Sequence, residues 1–131
     1  MTQSTAFVVY MAILTWATIM LASLVRANAW TPRGFLLAMG NRDNLPPASA
    51  LAGRLERTAR NTLENFVLFA ALVLVAHDAG ANEARVALGA QIFFWARVVY
   101  VPVYGAGLAY IRTVVWAISI VGVGFIVAAL L

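Results

Sequence analysis

Four long apolar stretches alternate with short polar segments along the chain. Ser4–Val25 and Thr113–Leu131 carry no charged side chain, and each has the length that a membrane-spanning helix of ~20 largely apolar residues needs. Thr62–Ala76 reaches that length when it is extended back through the polar residues before it. Ala84–Leu108 reaches it when one arginine, Arg97, is placed inside the membrane. The pattern predicts a single all-α domain, an integral membrane protein with four spanning helices.

The ends of these helices follow from the residues between them. Proline, glycine and asparagine recur through Asn28–Ala48, which is therefore expected to be a long loop. A small-residue pattern at Ala27–Ala29 resembles a signal-peptide cleavage site, but no basic residue precedes the apolar run, so we expect the first helix to be retained. The predicted helices are Thr5–Ala27, Ser49–Ala76, Glu83–Leu108 and Tyr110–Leu131.

Composition narrows the possible chemistry. All nine basic residues are arginine, and the net charge of +4 is carried by loops and helix ends of a membrane protein, which disfavours nucleic acid as a partner. The chain has no cysteine, which excludes disulfides, thiolate metal sites and a cysteine nucleophile. The single histidine, His77, cannot build a zinc site by itself, so no metal is expected.

A polar stripe marks the first half of the second predicted helix. Arg57, Asn61 and Glu64 lie at i, i+4 and i+7 and therefore share one helix face. The chain is free of charge from Asn65 to Ala76, so the stripe runs directly into the membrane. Polar groups in a span are expensive and need partners on a neighbouring helix or a bound ligand.

A second stripe occupies the end of the third predicted helix. Arg97, Tyr100 and Tyr104 lie at i, i+3 and i+7, again on one face. In an up-and-down bundle they meet the first stripe at the same membrane level, together with Arg26 at the end of the first helix and Arg112 at the start of the fourth. Excess positive charge in such a layer favours an anionic ligand.

Three other interpretations of these residues stay open. The layer can be a structural network, in which Arg60 pairs with Glu56 or Glu64 along the helix and Arg97 pairs with Glu64 between helices. The chain can be a catalytically silent membrane protein. A small transporter is the third, although Glu64 is the only acidic candidate within a span and it lies among arginines.

Both stripes resemble motifs of the MAPEG family, the membrane-associated proteins of eicosanoid and glutathione metabolism. The family pattern Arg-x-x-x-Asn-x-x-Glu is matched by Arg57, Asn61 and Glu64. The pattern Ala-Arg-x-x-Tyr-x-x-x-Tyr is matched by Ala96, Arg97, Tyr100 and Tyr104. The resemblance covers the whole chain and implies a left-handed four-helix bundle that assembles as a homotrimer, similar to the microsomal glutathione transferases.

The resemblance also implies a ligand and a set of site residues. It implies that glutathione binds as co-substrate between protomers and that a small lipophilic electrophile from the bilayer is the second substrate. The candidates for binding glutathione are Arg26, Arg57, Asn61, Glu64, Asn65, Arg97, Tyr100 and Tyr104.

The implied reaction is a glutathione transferase or peroxidase reaction at an activated thiol, with no covalent nucleophile from the protein. Arg112 is the candidate that stabilises the thiolate, and Tyr100 or Tyr104 is the candidate hydrogen-bond donor. In the leukotriene-synthesising branch of the family the corresponding arginine lies seven residues after the second tyrosine. Here that position is Ile111, and a bulge or kink at the helix start is needed to bring Arg112 into place.

Membrane orientation is the first testable prediction. Six arginines flank or occupy the first connector: Arg26, Arg33, Arg42, Arg54, Arg57 and Arg60. The positive-inside rule therefore places Asn28–Ala48 in the cytoplasm and both termini on the other side of a bacterial inner membrane. Reporter fusions at Leu131 should show a non-cytoplasmic C-terminus, and a cytoplasmic signal from that fusion would contradict the assigned orientation.

Overall fold

The chain folds into five α-helices without a strand. A computed structural model describes all 131 residues. The helices are α1 (Gln3–Ala27), α2 (Pro32–Met39), α3 (Ala50–Asp78), α4 (Glu83–Gly105) and α5 (Ala109–Leu130). All except α2 are long and apolar enough to cross a membrane. The predicted all-α fold with four spanning helices is confirmed.

Local polar residues define where three of the long helices begin. The hydroxyl of Thr2 accepts a hydrogen bond from the backbone N–H of Thr5 at the start of α1. Ser49 caps α3 and Asn82 caps α4 in the same way, each at 3.1 Å. Such caps satisfy backbone donors that have no partner inside the helix. The starts predicted for these helices lie within two residues of those in the structure.

The first connector contains a helix, so the expectation of a continuous loop over Asn28–Ala48 is wrong at Pro32–Met39. Thr31 caps this helix, its hydroxyl accepting the N–H of Gly34 at 3.0 Å. Pro32 stands in the first turn, where its missing N–H does no harm. A side chain at Gly34 would collide with the carbonyl oxygen of Asn28, so glycine lets α2 pack directly on the end of α1.

The third spanning helix ends earlier than the predicted Leu108. Helix α4 stops at Gly105, and Gly107 turns the chain with a φ of +81°, a conformation that glycine adopts readily. Arg54 on α3 donates from Nε to the carbonyl oxygen of Gly105 at 2.9 Å. This bond satisfies one of the carbonyls left free at the end of α4.

The four long helices form a bundle in which α1 packs on α3 and α4, and α4 packs most extensively on α5. We call the end where α1 and α4 finish and α3 and α5 begin the arginine-rich end. Toward the other end lies the apolar core, where the rings of Phe69 and Phe93 stack at 4.3 Å. Large apolar side chains such as Trp16 and Leu68, both 64% exposed, cover the outer surface and suit a lipid environment.

At the end of the bundle opposite the arginine-rich end, one carboxylate links α4 to α1. Glu83, the first residue of α4, accepts the backbone N–H of Ser4 at 2.8 Å and its hydroxyl at 2.9 Å. Its negative charge therefore lies beside the N-termini of both α1 and α4, where the helix dipoles favour it.

Helices α4 and α5 touch through their backbones at a pair of glycines. A Cβ atom on Gly122 would lie 2.7 Å from the carbonyl oxygen of Gly89 and 2.7 Å from the nitrogen of Phe93. Small residues at such crossings allow membrane helices to approach closely. A Cβ atom on Gly124, one half-turn away, would meet nothing within 4 Å.

This contrast gives a matched pair of variants. Gly122→Ala should push α4 and α5 apart and destabilise the fold by about 1–3 kcal/mol. Gly124→Ala adds the same methyl group to open space and should leave stability unchanged or raise it slightly. Thermal unfolding in detergent, followed by circular dichroism, measures both. Equal melting temperatures for the two variants would show that the glycine contact does not set the helix spacing.

Candidate functional site

A polar cleft of about 370 Å³ opens between α3, α4 and α5 at the arginine-rich end. It is lined by Arg57, Arg60, Asn61, Glu64, Tyr100, Tyr104, Arg112, Thr113 and Trp116. The two polar stripes that the sequence places on separate helices therefore contribute to one concave surface. Glu64 and Arg60 are exposed on its wall, although both belong to a helix long and apolar enough to span a membrane.

Helix α3 supplies the first wall because its stripe repeats at helical spacing. Arg57, Asn61 and Glu64 all line the cleft. Arg57 reaches across to α4, where its Nε donates to the hydroxyl oxygen of Tyr104 at 3.1 Å. This bond uses one donor of the guanidinium and leaves the other N–H groups of the fork for a ligand.

Arg97 lies behind this wall rather than in it. Its Nη2 donates to the side-chain oxygens of Asn61 and Thr62, both at 2.9 Å. Its guanidinium carbon lies 4.0 Å from the centre of the Tyr100 ring, a cation–π contact. The residue is fully buried, and its Nε and Nη1 have no hydrogen-bond partner. Arg97 thus holds Asn61 and Tyr100, two of the side chains that line the cleft.

The tyrosines and Arg112 form the opposite wall. The rings of Tyr100 and Tyr104 meet edge to face, with centroids 5.6 Å apart. The guanidinium carbon of Arg112 lies 4.5 Å from the centre of the Tyr104 ring. The break between α4 and α5 brings Arg112 into the cleft although its spacing from Tyr104 is one residue longer than in the leukotriene-synthesising branch. Ile111 is not part of the lining.

The charges of the cleft are unbalanced. It contains three arginines, Arg57, Arg60 and Arg112, and one carboxylate, that of Glu64. The single ion pair of the structure lies elsewhere, between Arg26 Nε and Glu56 Oε1 at 3.5 Å. The pairs expected from a structural network, Arg60 with Glu56 or Glu64 and Arg97 with Glu64, are not formed. The cleft therefore presents positive charge and hydrogen-bond donors that its own residues do not neutralise.

A model of the MAPEG family matches residues 4–131, essentially the whole chain. The chain belongs to the MAPEG family. No curated protein and no solved structure matches it. The family includes glutathione transferases and other members, and the match does not by itself assign a reaction.

Three of the residues that the MAPEG resemblance nominates for glutathione binding stand outside the cleft: Arg26, Asn65 and Arg97. Arg26 is engaged with Glu56, and its Nη1 is buried without a partner. Asn65 donates from Nδ2 to the backbone oxygen of Asn61 at 2.8 Å. In this protomer neither the Arg26 nor the Asn65 side chain lines the cleft.

Three lining residues were not among the sequence candidates: Arg60, Thr113 and Trp116. Helical spacing contains the signal for each of them. Arg60 lies one turn before Glu64 on the same face, and Trp116 lies one turn after Arg112. Thr113 lies three residues before Trp116, so these two share a face of α5.

No group of three or more histidine, cysteine, aspartate or glutamate side chains could hold a metal ion. The functional groups of the cleft are guanidinium, carboxylate, amide, phenol and hydroxyl. Such a set binds anions and amines and stabilises developing negative charge, and it offers no strongly nucleophilic side chain.

Proposed function

We propose that the cleft binds glutathione and activates its thiol for attack on a lipophilic electrophile, as a transferase or a peroxidase. The observation that carries the proposal is the gathering of three arginines, one glutamate, one asparagine and two tyrosines around one cleft within the membrane bundle. Membership in a glutathione-associated family supports the choice of ligand.

The charges of the cleft complement those of glutathione. The tripeptide carries two carboxylates and one ammonium group at neutral pH. Arg57 and Arg60 are placed along one helix face to bind carboxylates, which arginine holds through paired hydrogen bonds. Glu64 and Asn61 follow on the same helix and suit the ammonium and amide groups.

We assign activation of the thiol to the opposite wall of the cleft, formed by the tyrosines and Arg112. A free thiol has a pKa of ~8.5, so most of it is protonated at neutral pH. A cationic neighbour favours the thiolate and raises the population of the nucleophile. We assign this role to Arg112, which is held over the ring of Tyr104. The hydroxyls of Tyr100 and Tyr104 are the donors for the sulfur, and the thiol proton passes to water. In the transferase reaction the thiolate then bonds to the electrophilic carbon as its leaving group departs or its double bond accepts the electron pair, without a covalent enzyme intermediate.

The lipophilic substrate would approach from the bilayer. Trp116 and Thr113 line the cleft from α5, next to Arg112, and both are exposed in the protomer. A tryptophan at this position offers a large apolar face next to the charged groups. The electrophile would therefore meet the thiolate at the border between lipid and polar cleft.

Assembly as a homotrimer belongs to the same proposal. Arg60 and Glu64 lie exposed on a helix that is long and apolar enough to span the membrane, where polar groups are costly unless protein or ligand covers them. A neighbouring protomer that packs on α3 would close the open side of the cleft and would place its own polar residues near the ligand.

A catalytically silent member of the family is the second candidate. Arg57 and Arg112 each already have a partner in Tyr104, through a hydrogen bond and a cation–π contact. The cleft therefore also suits a role in which its arginines stabilise the bundle without chemistry. Binding of glutathione without thiolate formation is the result that would favour this second candidate.

Glutathione binding is tested by truncating Arg57, one of the three arginines of α3. Arg57→Ala removes a charge-assisted hydrogen bond worth ~1.5–3 kcal/mol, which corresponds to a ~10- to 150-fold loss of affinity. Isothermal titration calorimetry with glutathione on detergent-purified protein measures the change. Arg85→Ala, at the opposite end of the bundle, removes the same charge and should leave the affinity unchanged.

Two outcomes would overturn this assignment. Wild-type protein that binds no glutathione at millimolar concentration would remove the ligand from the proposal. Arg57→Ala protein with wild-type affinity would place the binding site elsewhere.

Activation of the glutathione thiol is tested separately, at Arg112 of α5. Arg112→Ala should leave glutathione binding largely intact but raise the pKa of the bound thiol, because the thiolate loses its cationic neighbour. Ultraviolet absorbance of the thiolate across a pH series reports this change, with Arg85→Ala as the control. An unchanged titration curve for Arg112→Ala would remove the arginine from the catalytic role while leaving the binding site in place.

A further inference from the structure

Helix α2 has two chemically different faces. Its buried side, centred on Gly34, packs on the end of α1, and α1 is the only helix that α2 contacts appreciably. Its other side carries Phe35, Leu36 and Met39, which are 55%, 70% and 71% exposed. These three positions share one helical stripe at i, i+1 and i+4. We call this stripe, together with Trp30 just before the helix, the α2 apolar face.

The position of α2 along the bundle points to the membrane boundary. Arg42, three residues after α2 ends, donates to the carbonyl oxygen of Ser23 on α1 at 3.5 Å. Ser23 lies four residues before the end of α1, which is about 6 Å inward along the helix axis. The side chain that follows α2 therefore reaches back along the last turns of α1. In the same turns α1 exposes Leu21 and Leu24, residues of a spanning helix.

One unpaired cation lies next to the α2 apolar face. Arg33 is exposed in the first turn of α2, and neither a hydrogen bond nor an ion pair engages its side chain. Trp30 is 68% exposed beside it. Aromatic and basic residues that border an apolar stripe are typical of helices lying in the interface of a bilayer, with anionic headgroups as their counter-charge.

We propose that α2 is an interfacial helix that docks on the anionic headgroup layer of the bilayer. The α2 apolar face enters the boundary between headgroups and acyl chains, and Arg33 meets a lipid phosphate. The occupant of this face is lipid, not a second copy of the chain. The proposal is independent of the glutathione site and of the direction in which the chain crosses the membrane.

A chain without cysteine allows single spin labels to test this placement in the full-length protein. Leu36→Cys places a nitroxide on the α2 apolar face. Ile13→Cys, on the exposed surface of α1, supplies the lipid reference, and Asp43→Cys, exposed after α2, supplies the water reference. Collision of each label with oxygen and with a water-soluble nickel chelate is measured in nanodiscs of phosphatidylcholine with or without phosphatidylglycerol.

The expected result is an oxygen-to-nickel collision ratio at Leu36 between those of the two references, with a deeper position in discs that contain phosphatidylglycerol. A ratio equal to that of Asp43 in both lipid mixtures would show a face in water and would overturn the proposal. A label shielded from both reagents would show that a second copy covers the face, which also overturns it.

The role of Arg33 has its own matched control. One arginine near an anionic surface contributes ~1 kcal/mol, so Arg33→Gln should reduce the docking equilibrium of the Leu36 label about fivefold in phosphatidylglycerol discs. The equilibrium is read from the immobile and mobile components of the spin-label spectrum. Arg85→Gln removes a charge at the other end of the bundle and should change nothing. Equal effects of the two variants would exclude a specific contact at Arg33.

Discussion

The burial of one arginine among membrane helices governs the architecture of the polar end. Removing a charge from water costs several kcal/mol even after the protein relaxes, and Arg97 has no carboxylate within ion-pair distance to offset this. Its compensation comes from the oxygens of Asn61 and Thr62 and from the ring of Tyr100. These partners belong to two helices, so the requirement to satisfy one guanidinium fixes the register of α3 against α4 and, with it, the shape of the cleft.

The two ends of the bundle are stabilised by different kinds of interaction. Toward the far end, stacked phenylalanines and a glycine contact hold the helices through close packing. At the arginine-rich end, cations, phenols and amides replace apolar contacts, and positive charge exceeds negative charge in the cleft. A protein gains little stability from such a surplus, which is why a ligand explains it better than a structural network. The absence of ion pairs at Glu64 is a second observation that favours a ligand over a structural network.

Much of this arrangement was visible in the sequence because it depends on periodicity. Apolar length predicted the four spans, and helical spacing predicted that Arg57, Asn61 and Glu64 share a face. The short helix α2 and the placement of Arg26 and Arg112 could not be predicted, because they depend on tertiary geometry. The short helix α2 has too few residues for a periodic signal and relies on the fit of Gly34 against Asn28. Arg26 and Arg112 have the same charge, yet only the direction of the chain at each helix end decides which meets Glu56 and which enters the cleft.

The glycine contact between α4 and α5 has a mechanical consequence for the cleft. Gly122 meets Gly89 without intervening side chains, and Arg112 lies ten residues away along α5, or about 15 Å. A tilt of α5 by about 4° about this contact would displace the backbone at Arg112 by about 1 Å, a distance that matters for the alignment of reacting groups. The close contact of Gly122 with Gly89 therefore helps to set the position of a guanidinium that lies at the other end of the helix.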